Sequence, residues 1–156
     1  MNDAAAEQFV ESYYSAVNSA RHAIHAYYVP QSTLADGSSL PAIFLNGTEV
    51  ADGNSVQRMF QQRYPTSFFE VDVVDCHILN NQYPAQSGTS TNTTMPISLL
   101  VVVNGIFKQG SARDQLEQEF SETLVLVPNS DAPPRGQGGR FRKDYLIQSQ
   151  TFRFVG

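Results

Sequence analysis

Two charged residues stand among hydrophobic ones. Asp75 falls in the run Val71-Asp72-Val73-Val74-Asp75-Cys76, and Arg153 lies between Phe152 and Phe154. A charge taken out of water needs an opposite charge beside it. The chemistry these two suggest is pairing with ions of a partner; simple solvation on a wet face is the alternative. A second candidate is Arg135-Gly136-Gln137-Gly138-Gly139-Arg140-Phe141-Arg142-Lys143, the only local basic cluster. Arg135, Arg140, Arg142 and Lys143 could contact RNA phosphates while the aromatic stacks on a base. A solvated hairpin tip is the plainer reading. His22 and His25 sit three apart on a predicted helix and His77 on a strand. No carboxylate or cysteine joins the helical pair at ligand spacing, so no metal is expected. Cys76 is the single cysteine, which excludes an internal disulfide and a multi-cysteine zinc site and points to a reducing compartment. No phosphate-cradling glycine loop and no nucleophile elbow is present, and no cofactor is expected.

Periodicity supplies the elements that position these residues. Residues 4–28 read as one long helix with Asp3 as N-cap, a stripe running from Phe9 to Tyr28, and Pro30 as its stop. Ala42-Ile43-Phe44-Leu45 and Thr48-Glu49-Val50 flank Asn46-Gly47, a hairpin signal. A short helix is predicted at 55–63, capped by Asn54 with Gln57 reaching back, its inner face Val56, Met59 and Phe60. Four long strands follow at 67–80, 97–109, 115–127 and 141–155. The segments 81–96 and 128–140 read as long polar hairpin tips. This order predicts α+β, with helices stacked on one face of a curved antiparallel sheet.

The whole, 156 residues with no internal repeat, suits one domain over 1–156. Hydrophobic residues at 41% exclude intrinsic disorder. Fifteen acids against ten Lys and Arg, a formal charge of −5, argue against a dedicated nucleic-acid binder. No apolar run approaches the ~20 residues of a membrane span, and the first residues lack the features of a signal peptide. A soluble intracellular chain is the expectation, with no membrane and no small-molecule ligand.

Two helices cover one sheet face only, yet several strands are apolar on both. Leu99-Leu100-Val101-Val102-Val103 and Leu124-Val125-Leu126-Val127 show no alternation. In the last strand Leu146, Phe152 and Phe154 share one parity and Tyr145, Ile147 and Val155 the other, with Arg153. In 67–80 the apolar set changes parity near Val73-Val74, which predicts a β-bulge. The second face therefore needs a lid, either a ligand or another protein. Asp75, Arg153, Tyr145 and Ile147 are the expected contact residues.

The order of several segments resembles nuclear transport factor 2-like proteins. They are Glu7-Gln8-Phe9-Val10-Glu11-Ser12-Tyr13-Tyr14, Phe44-Leu45-Asn46-Gly47, Val73-Val74-Asp75-Cys76, Leu100-Val101-Val102-Val103-Asn104-Gly105, Phe120-Ser121-Glu122-Thr123-Leu124-Val125-Leu126 and Phe152-Arg153-Phe154. Within that family the chain is similar to the small, fungal-type subunits of the heterodimeric general messenger-RNA export receptor. The resemblance implies a bent, cone-like sheet with helices in its concavity and sheet-to-sheet pairing with a large subunit. It implies that Asp75 meets an arginine there and Arg153 an acid. It also implies Phe-Gly nucleoporins as partners of the complex, and shuttling between nucleus, nuclear pore and cytoplasm. A homodimeric import factor for a small GTPase in its GDP form is the alternative within the family. The fold also hosts isomerases and dehydratases, for which Tyr14, Tyr28, Asp75 and His77 are the residues available. Such an enzyme needs a ligand-sized dry cavity with a tuned carboxylate; a subunit needs a cone filled by Phe and Tyr, which number 10 and 7 here.

Overall fold

The computed structural model describes residues 2–80, 97–110, 113–132 and 143–155. Helix α1 spans Asn2–Ser19, with Asp3 inside its first turn rather than before it. The single helix expected over 4–28 is in fact broken. Ala20 leaves helical geometry at φ −145°, and Arg21–Tyr27 wind as a 3-10 segment. The break lets the chain fold back. The Tyr27 hydroxyl meets the Ser12 hydroxyl at 2.7 Å, and the Tyr28 hydroxyl meets that of Tyr13 at 2.7 Å. In a straight helix residues fifteen apart would stand about 22 Å from each other. Arg21 holds the corner: its guanidinium donates to the carbonyls of Val17 (2.7 Å), Phe60 (2.7 Å), Tyr64 and Ser67 (3.1 Å), and to the Ser67 hydroxyl (2.8 Å).

Strands β1 (Ser32–Thr33) and β2 (Ser39–Leu40) form a small ribbon. Then β3 (Ala42–Leu45) and β4 (Thr48–Val50) make the predicted hairpin, with Asn46 and Gly47 at φ 51° and 81° as a primed turn requires. Helix α2 is Gly53–Arg63, two residues longer than read. Its cap is Asp52, not Asn54: the Asp52 carboxylate accepts from the Ser55 amide at 2.9 Å and the Ser55 hydroxyl at 2.8 Å. Gln57 is not part of a capping box. Its side-chain oxygen accepts from the His25 amide at 3.0 Å.

The long strands are β5 (Ser67–Asn80), β6 (Ser98–Gln109), β7 (Leu116–Pro128) and β8 (Tyr145–Val155). They join the hairpin in a six-stranded sheet of order β4-β3-β8-β7-β6-β5. The sheet is mixed, because β3 runs parallel to β8. The last strand begins later than expected, since Lys143 and Asp144 lie outside it.

Bulges bend the sheet and switch parity. One leaves Asp72 unpaired between Val71 and Val73, slightly earlier than the sequence suggested. Another lies in β8, where pairing with β7 steps from Ser149 to Ile147. Gly105 marks a close approach: a Cβ there would stand 2.1 Å from the Glu70 carbonyl and 2.8 Å from the Phe120 ring.

The concave side is closed by aromatic rings. Around Phe69 the centroids of Phe107, Phe60, Phe120, Phe152 and Tyr14 stand at 5.0, 5.4, 5.5, 6.0 and 6.1 Å. Helix α1 lays Phe9, Val10, Tyr13, Tyr14 and Val17 on this cluster, and all five are buried.

Candidate functional site

The strand register sets out the other face row by row. One row reads Asp75, Val102, Thr123, Thr151, Phe44, Glu49. The next reads Val73, Asn104, Ser121, Arg153. Leu100, Val102, Ile106 and Val125 are half-buried on this side, while Phe44 and Val73 are 40% and 49% exposed. The face thus offers apolar ground with charges at its flanks. Asp75 and Arg153 are both exposed and make no ion pair among the described residues, where Lys108 to Glu70 at 2.9 Å is the pair present. They do not serve each other, for they stand three strands apart, about 14 Å.

The expectation for Tyr145 and Ile147 is corrected. Both lie in the core, at 5% and 0% exposure. The β8 bulge is the reason: it puts Tyr145 and Ile147 on the same side as Gln150 and Phe152, and turns Leu146 outward with Thr151, Arg153 and Val155. Lys143 is half-buried, its ammonium 4.8 Å above the Tyr27 ring, and burial lowers its pKa. Its companions in the basic cluster, Arg135, Arg140 and Arg142, lie outside the described residues.

The residues available to an enzyme are not brought together. Asp75 and His77 are exposed on β5, while Tyr14 and Tyr28 are buried on the concave side. Among the described residues no three His, Cys, Asp or Glu side chains converge as metal ligands.

Sequence reasoning missed the most unusual polar group. Glu122 is 1% exposed and Gln150 is 1% exposed. Inward parity was the available signal, since Glu122 alternates with Phe120 and Leu124, and Gln150 with Phe152. The Tyr14 hydroxyl donates to one Glu122 oxygen and the Gln150 amide to the other. The same amide donates to the Tyr13 hydroxyl at 3.1 Å, and the Tyr28 hydroxyl donates to the Gln150 oxygen at 2.6 Å. Tyr13 must then donate to Tyr28. One hydrogen from each tyrosine and two from the amide fill these five bonds. The arrangement is that of an ionised carboxylate; an added proton finds a place only if Tyr14 gives up its own bond. Loss of water nonetheless pushes the Glu122 pKa up to about 7, against the opposing hydrogen bonds from Tyr14 and Gln150. Burial and the Glu122 charge hold Tyr13, Tyr14 and Tyr28 protonated. Among the described residues, clefts of about 190 to 500 Å³ have no wall from Glu122 or Gln150. The network fastens α1 and Tyr28, the residue that follows the 3-10 segment, to β7 and β8.

Comparison with known proteins places this geometry in company. A family profile described as the nuclear transport factor 2 (NTF2) domain matches residues 5–154. The chain is 30% identical over 151 residues to NTF2-related export protein 2 of Mus musculus, covering 96% of this chain and 84% of that one. It is similar in fold to a chain of the solved structure "Sac3N peptide bound to Mex67:Mtr2", with a TM-score of 0.78, 24% identity and 99% of each chain covered. The solved "Structure of Mtr2" gives a TM-score of 0.75 at 23% identity, again over 99% of each chain.

Proposed function

The chain belongs to the nuclear transport factor 2 domain family, and on that premise we propose that it is the small, non-catalytic subunit of a heterodimeric nuclear export receptor for messenger RNA. The name of the mouse relative supports export. Mtr2, whose fold this chain shares, stands beside Mex67 in a solved complex. The observation that carries the reading is the open sheet face, apolar at Leu100, Val102, Ile106 and Val125 and bearing an acid and a guanidinium that make no ion pair among the described residues. A second sheet laid on it removes that ground from water at about 25 cal/mol per Å² before association costs. Asp75 and Arg153 then fix register and partner choice more than affinity. The whole of 1–156 acts as one such domain, its cone filled by aromatic rings and not by substrate. The assembled receptor engages Phe-Gly nucleoporins and shuttles between nucleus, pore and cytoplasm. RNA contact through Arg135, Arg140 and Arg142 is a secondary element of the same reading.

The test is co-expression with a large subunit of the Mex67 kind, followed by size-exclusion chromatography. The wild-type chain should copurify at equal stoichiometry, and Asp75→Arg should abolish this while the circular dichroism of the variant stays native. Copurification of Asp75→Arg at wild-type yield refutes the assignment. A pure chain that runs alone as a symmetric dimer of about 34 kDa favours the homodimeric branch instead.

A further inference from the structure

A cleft of about 370 Å³ opens between α1 and the edge strand β5. Its lining lies outside the two rows that carry Asp75 and Arg153, and meets the open sheet face only at Glu70, which pairs with Ile106. Val10, Tyr14, Phe69, Val71 and Val74 build its apolar walls, and Phe68, 51% exposed, stands at its mouth. The volume falls in the range of pockets that accept a large side chain and its flanks.

The rim is acidic. Glu7 and Glu11 line one side and Glu70 the other. Helix α1 carries Asp3, Glu7 and Glu11 at steps of four and no Lys or Arg. Asp3 in the first turn suits the helix dipole, but Glu7 and Glu11 lie beyond it, where like charges four apart oppose helix formation. Glu70 is paired with Lys108, but Glu7 and Glu11 make no ion pair among the described residues. The β5 edge is closed to strand addition at the cleft: the Asn18 amide donates to the Phe69 carbonyl at 2.9 Å, and its oxygen accepts from the Phe69 amide at 2.8 Å. Recognition here rests on side chains.

From the apolar walls and the uncompensated carboxylates at their rim, we propose that this cleft docks a short basic peptide segment, one aromatic or aliphatic side chain inserted between α1 and β5 with Lys or Arg on both sides of it. The inference does not depend on the sheet face being a dimer interface.

The probe is a labelled dodecapeptide with one central Phe, two Lys on each side and Gly-Ser ends, titrated by fluorescence anisotropy into the full chain, or into the co-expressed complex. It should bind at least about tenfold more tightly than the same peptide with Ala for Phe. Replacing its Lys by Gln, or making Glu7→Lys with Glu11→Lys in the protein, should weaken binding by about tenfold at low salt and far less at high salt. Phe68→Ser, an exposed change, should weaken it at every salt concentration. Equal binding of the Ala peptide, equal binding of an uncharged Phe-Gly peptide, indifference to the Glu7 and Glu11 changes, or no binding at all would each overturn the proposal.

Discussion

Glu122→Gln isolates the cost of the charge in the core. The variant is close in shape to the protonated acid and neutral at every pH. In the wild type the folded chain holds the Glu122 proton up to about pH 7, whereas the unfolded chain releases it near the ordinary 4.5. The raised value means the folded state binds this proton more tightly. The contribution to stability is thus fully present below pH 4.5, is lost as pH rises to about 7, and is constant above that. The span from 4.5 to about 7, at 1.36 kcal/mol per pH decade, is about 3 kcal/mol. Asp36 and Asp52 run in the opposite sense, because hydrogen bonds from Ser38 and Ser55 hold them below the ordinary 3.8, but they titrate under this window. Urea unfolding in steps from about pH 5 to about pH 8 reads the effect. Wild-type stability minus that of Glu122→Gln should fall by about 2–3 kcal/mol across the window. Parallel curves would refute the reasoning. A carboxyl-carbon resonance of Glu122 titrating near 4.5, rather than near 7, would refute it even if the variant folds poorly.

Gly105→Ala places a Cβ against the Glu70 carbonyl at 2.1 Å, which only backbone movement relieves. It should lower stability by about 2–3 kcal/mol or more in denaturant titration. Arg21→Lys removes the planar fork that serves four carbonyls at the corner after α1. A loss of about 2 kcal/mol is expected, with faster amide exchange at the end of α2, and an unchanged melting curve would count against it.

Local chemistry made much of the fold legible. Asn46-Gly47 fixes a primed turn because few other residues tolerate two positive φ values in succession. The long alternating and doubly apolar runs located β5 to β8 within a few residues. The excess of apolar strand surface reappears as half-buried Leu100, Val102, Ile106 and Val125 on the face opposite the helices. Other features turn on contacts between distant residues. The stripe of α1 continues smoothly through Ala20, so nothing in its period shows that Tyr27 and Tyr28 fold back to Ser12 and Tyr13. The cap of α2 went to Asp52 because its carboxylate reaches both Ser55 donors.

Sequence alone determined the strand order in the chain, the class of the fold and the presence of Asp75 and Arg153 among apolar strand residues. Those are properties of side-chain type and spacing. Tertiary structure decided which side each residue faces. A bulge shifts parity by one residue: the one in β8 carried Tyr145 and Ile147 into the core with Arg153 outside, and the one in β5 precedes an outward Asp75. Folding also brought Glu122 and Gln150 together with three tyrosines, because burial lets a carboxylate remain only where donors from several elements converge on it.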